Sequence, residues 1–148
     1  MKRLLLAPFV LVPMALLTAC QPPVDTAPGT FEPFDVARVG QTHCVFDAVD
    51  ADGEGALFAT RMSDENDMAH VQYKGEFLKL VPRVPPTFDA EPLDVTYDVV
   101  DYIKWRVRVQ VDPVESGPEH TDYEGTLTLL REGSDSLATA DVRGSCGV

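Results

Sequence analysis

The chain has 148 residues, with 24 Asp and Glu against 12 Lys and Arg, and a formal charge of −12 at pH 7. That length suits one domain of ordinary size. The acidity argues against nucleic acid as a partner, since phosphates are neutralised by Lys and Arg, whereas a basic protein would be drawn in by it.

The chain opens with Lys2-Arg3 and a 14-residue apolar run, Leu4 to Leu17, broken by Pro8 and Pro13. Spanning a bilayer takes about 20 apolar residues, so this run reads as a secretory signal rather than a membrane helix. Its end, Leu17-Thr18-Ala19-Cys20, resembles the lipobox of bacterial lipoproteins. The resemblance implies cleavage before Cys20, palmitate-type acylation of that cysteine, and attachment to a membrane through the N-terminal lipid. In that family an Asp after the lipidated Cys marks the inner membrane of Gram-negative cells. Gln21 stands here, which implies the outer membrane, facing the periplasm. Residues 1–19 contain Lys2 and Arg3 and no acid, so the mature chain would hold 24 acids against 10 bases, a charge of −14.

Residues 20–35 then carry Pro22, Pro23, Pro28, Pro33 and Gly29. Such composition does not repay the entropy of ordering a backbone, and it reads as a tether between the signal peptide (1–19) and a domain at 36–148. Phe31 and Phe34 are the exceptions, suited to docking on the domain.

From Thr42 onward, short runs rich in Val, Thr, Tyr and Phe alternate with Gly, Asp and Pro turns, the pattern of strands. Runs at 43–49 and 56–62 flank a turn containing Asp52-Gly53, and 68–74 and 76–82 flank Gly75. Residues 83–92, with Pro85, Pro86 and Pro92, read as a crossing segment between two halves. Residues 93–100 follow, as a separate strand or as the start of one long, bent strand. Then comes the clearest alternation in the chain: Ile103, Trp105, Val107, Val109 and Val111 against Lys104, Arg106, Arg108 and Gln110. Period two over ten residues means one buried and one wet face. A polar break at 112–122 precedes further runs at 123–131 and 138–146. Seven to eight short strands predict an all-β domain, a small antiparallel barrel or sandwich. The expected core is Val45, Leu57, Val71, Phe77, Leu80, Val95, Tyr97, Trp105, Val107, Val109, Leu127 and Leu129.

With Cys20 assigned to the anchor, Cys44 and Cys146 remain near the two ends of the domain, and they read most simply as one disulfide in an oxidising compartment. Asp47, Asp50, Asp52 and Glu54 do not meet the spacing of a calcium loop. His43, His70 and His120 lack the short paired spacings of a zinc site. Gly144-Ser145-Cys146-Gly147 lacks the strand-turn-helix context of a nucleophile elbow. No metal, cofactor or catalytic set is therefore expected. Lys104, Arg106 and Arg108 form a cationic stripe that either receives a carboxylate-rich partner or pairs across strands with Asp98, Asp122 or Glu124.

Two resemblances complete the reading. Thr42-His43-Cys44-Val45-Phe46, the run Val71 to Leu80, and Val142-Arg143-Gly144-Ser145-Cys146-Gly147 look like small alphaproteobacterial lipoproteins, which implies a location and no activity. The overall plan, together with Tyr73-Lys74-Gly75-Glu76 and Leu80, is similar to the membrane-bound inhibitors of c-type lysozyme. That resemblance makes Lys74 a contact residue and puts Ser63 where the inhibitory serine sits, although Asp64-Glu65 replace the family's Ser-Gly-x-x-Tyr continuation. The expected function is an anchored, non-catalytic envelope lipoprotein that binds another envelope component. Inhibition of c-type lysozyme is the alternative, and an envelope hydrolase a third.

Overall fold

The computed structural model describes residues 28–50, 55–62, 68–88 and 91–147. Cys20, Ser63 and the expected signal peptide lie outside the described residues. No helix among those described is long and apolar enough to cross a membrane.

The strands are β1 (Phe31–Glu32), β2 (Thr42–Ala48), β3 (Phe58–Arg61), β4 (Ala69–Tyr73), β5 (Glu76–Pro82), β6 (Leu93–Val99), β7 (Trp105–Ser116), β8 (His120–Arg131) and β9 (Ser136–Gly147). From β2 to β9 each strand pairs antiparallel with the next, and β9 returns to pair with β2. The sheet is a closed eight-stranded up-and-down barrel with β1 added beside β4. Closure removes the edges that an open sandwich would leave exposed.

Alternate residues of each strand fill the interior. Phe46, Phe58, Val71, Leu80, Tyr97, Val107, Tyr123, Leu127, Leu129 and Val142 are essentially inaccessible to solvent. Eight strands enclose just enough room for such side chains, so the barrel is a packed core rather than a ligand cup. Where β2 breaks register between Thr42 and Val45, the Cys44 amide donates to the buried Thr60 hydroxyl at 2.8 Å. A buried fault in the ladder is thereby satisfied without water.

Val45 and Phe77 belong elsewhere than expected. Both point outward, and the segment before β2 covers them: Phe34, Val36 and Val39 pack there with Ala56 and Ala59. The Phe34 and Phe77 rings meet edge-on at 5.2 Å, and the Arg38 guanidinium lies 4.0 Å from the Phe77 ring centre. Phe31, opposite Tyr73 in register, joins the main core. The folded unit thus takes in residues 28–35, which composition alone assigns to the tether.

Two further segments differ from expectation. Residues 83–92 join β5 to β6, which pair directly, so they form a long hairpin connection rather than a crossing between halves. Residues 112–122 are not a break but the end of a hairpin: β7 and β8 stay paired out to Ser116 and Thr121, with a bulge between Pro113 and Glu115, and the chain turns at 117–119. Two glycines let the twelve-residue strands coil. A Cβ on Gly125 would lie 2.1 Å from the Gln110 carbonyl oxygen, and one on Gly144 only 1.9 Å from that of Val45. These are barrel corners, where backbones approach too closely for any side chain.

Candidate functional site

The coil at Gly144 shapes the outer wall as well as the interior. Opposite the filled core, the outward residues of four neighbouring strands form an open groove: Val45 and Asp47 from β2, Arg143 and Ser145 from β9, Asp122 and Glu124 from β8, and Val114 from β7. Arg143 stands directly across from Asp47 on one side and from Glu124 on the other. Three carboxylates around one guanidinium leave the groove at a formal −2. Partial burial pushes the Asp47 carboxyl above its ordinary pKa, and Arg143 opposes the shift. A carboxylate held against its own desolvation gains from any added cation.

The β7–β8 hairpin extends the groove. Residues 114–120 at its tip are exposed on both faces, with Glu115 and Glu119 among them and Val114 at 57% accessibility. His120 lies 3.9 Å from Asp122 at the base of the tip. Together the groove and tip offer carboxylates, one exposed apolar side chain and a shallow concavity, which suits a basic protein surface rather than a small molecule.

The cationic stripe divides. Arg108 makes a two-pronged contact with Asp94 on β6, at 2.8 and 2.6 Å. Arg106 lies 3.6 Å from Asp98 and 3.8 Å from Glu132, and Arg83 holds the same Asp98 at 2.9 Å. Asp98 is the anticipated cross-strand partner; Asp94 is not, and Asp122 and Glu124 lie instead in the groove. Lys104 falls outside the strand, in the turn before β7. Lys74, at φ 48°, forms the β4–β5 turn with Gly75, its ammonium 5.7 Å from the Tyr73 ring centre. The structure therefore places Lys74 and Lys104 at one end of the barrel and Arg106 and Arg108 on its wall. Lys104 lines a shallow depression with Ile103 and Arg131, and the other three do not join it there.

Cys44 and Cys146 are joined by a disulfide across paired strands. Among the described residues no group of three or more His, Cys, Asp or Glu is arranged to hold a metal ion. His43 instead packs against Phe88, with ring centres 4.6 Å apart, and His70 stacks on Phe77.

Sequence reasoning passed over Asp47 and Glu124 as groove residues and did not single out Arg143. The available signal was their outward parity beside an inward glycine. No protein-family model matches the chain, and no curated protein or solved structure is significantly similar to it.

Proposed function

We propose that the chain is a lipid-anchored envelope protein whose non-catalytic barrel presents its acidic groove and hairpin tip to a basic protein of the same compartment. The observation that carries this reading is the convergence of Asp47, Asp122 and Glu124 on one groove. Arg106 and Arg108, further along β7, are by contrast engaged by acids of the chain itself. A field of that sign steers a basic partner and weakens with salt.

The test is recovery of a partner from detergent-solubilised envelopes by the full-length protein. Asp47→Lys with Glu124→Lys should abolish recovery, raised salt should weaken it, and Arg108→Ala should leave it unchanged. Recovery indifferent to the groove substitutions would refute the assignment. Mass spectrometry of the mature N-terminus tests the anchor separately: an unmodified Cys20 thiol would end that half of the reading.

A second reading, inhibition of c-type lysozyme, draws support from the same groove, because that enzyme is basic and the plan is a small acidic β-barrel. Undiminished lysozyme turnover with excess protein at low salt would remove it.

A further inference from the structure

We infer that the turn at residues 100–104 is a membrane-contacting tip that orients the anchored barrel, holding the acidic groove away from the lipid. The inference rests on the lipid anchor proposed for Cys20.

Ile103 is 93% accessible, the most exposed large apolar residue described, and Val100, in the same turn, is 49% accessible. The pair stands on a fixed base. The Tyr102 ring stacks on Trp105 with centres 4.5 Å apart, and its hydroxyl donates to the Glu76 carboxylate. The Lys104 carbonyl accepts from the Glu132 amide at 2.8 Å. Apolar residues at the apex with Tyr and Trp behind them match the layering of an interfacial contact. The long stems of the adjacent Lys104 and Arg131 can lie along the apolar boundary with their charges in the headgroups.

The path of the chain identifies the occupant. The Gly29 amide donates to the Leu137 carbonyl at 2.8 Å, and Gly29 lies against the Tyr73 ring. Tyr73 in turn meets Trp105 edge-on at 5.9 Å. The segment arriving from Cys20 therefore joins the barrel at the end that carries the Ile103 turn. Nine links from Cys20 to Gly29 reach at most about 30 Å, whereas twelve strand residues span about 40 Å. A lipid at Cys20 keeps this end beside the bilayer at high effective concentration, so a weak apolar contact suffices to set the orientation. Asp101, Glu76 and Glu132 share this end, so the contact is apolar rather than electrostatic. It should persist on a zwitterionic surface.

The test places a fluorophore on the full-length lipidated protein through Ile103→Cys or, at the far end, Val114→Cys. With Cys20 acylated and Cys44 bridged to Cys146, the introduced thiol is the reactive one. Each protein is reconstituted into phosphatidylcholine–phosphatidylethanolamine vesicles carrying a nitroxide-labelled lipid. Quenching is expected to be several-fold stronger at position 103 than at 114. Adding Ile103→Asp to a chain labelled through Val100→Cys should bring quenching down to the level seen at 114. Equal quenching at 103 and 114 in protein that floats with the vesicles overturns the inference and leaves the anchor standing, as does quenching at 100 indifferent to Ile103→Asp. Protein that fails to float overturns the anchor, and this inference with it.

Discussion

Cys44 and Cys146 face each other on β2 and β9, the seam where the barrel closes, with Cα atoms 4.0 Å apart and a separation of 102 positions in sequence. A bridge closing a loop of that length acts mainly by restricting the unfolded chain, worth about 2–5 kcal/mol. Cys44→Ala with Cys146→Ala should therefore lower the denaturation midpoint by that order while the far-ultraviolet signature of the barrel persists. A midpoint unchanged by the double substitution would show that the bridge adds nothing to closure.

Gly144→Ala should be among the most damaging single changes available. Its new methyl would meet the Val45 carbonyl oxygen and the Phe46 Cα, both backbone atoms of the neighbouring strand. Overpacking against backbone costs about 3 kcal/mol at the upper end of its usual range. Ser145→Ala, one position along and facing the groove, should stay within about 0.5 kcal/mol. Equilibrium unfolding of the two variants checks the contrast, and similar losses would mean that Gly144 is not a corner.

His70 makes stability depend on pH. Burial, reinforced by Lys79 and Arg61, holds its imidazole below the ordinary pKa of 6.5, and its Nδ1 is buried without a hydrogen-bond partner. The unfolded chain thus takes up a proton near pH 6.5 that the folded chain accepts only at lower pH. The stability His70 contributes is complete above pH 6.5 and declines as pH falls toward its folded pKa. His70→Gln should flatten this part of the stability profile. Identical slopes for the two proteins between pH 7 and pH 5 would contradict the assignment.

The Arg108–Asp94 contact should matter little for folding. Both side chains are about half exposed, and surface pairs contribute up to about 1 kcal/mol. Arg108 holds the Asp94 carboxyl below its ordinary pKa, chiefly through their hydrogen bond. The pair's contribution is therefore present above pH 3.8 and fades as pH falls below it. Arg108→Ala should cost less than about 1 kcal/mol at neutral pH, and the difference should shrink in 1 M salt. A larger, salt-insensitive loss would point to packing instead of charge.

The alternation from Ile103 to Val111 made strand β7 and its buried face legible from Trp105 onward, because a period of two translates directly into inside and outside; Ile103 itself stands exposed in the turn before the strand. Val45 and Phe77 misled for the complementary reason. Each is an apolar residue on the outward face of its strand, beside Asp47 or Lys79, and it is half-buried only because Phe34 and Val39 cover it, which alternation within the strand does not show. Residues 112–122 looked like a break because the hairpin is exposed on both faces from 114 to 120, although its backbones remain paired out to Ser116 and Thr121. The groove was less legible still. Asp47, Glu124 and Arg143 each read as an ordinary outward polar residue, and their convergence depends on the register of three strands and the coil at Gly144.

The pairing of the first barrel strand with the last also governs the order in which the molecule can assemble. No ring exists until residues 142–146 find β2, nearly a hundred positions upstream. Earlier nearest-neighbour hairpins can form locally, but the final step is a distant encounter, typical of domains that fold in milliseconds to seconds. Until that encounter, β2 and β9 each display an unpaired rim able to recruit another chain. The last strand to arrive therefore decides between a finished cylinder and an aggregate.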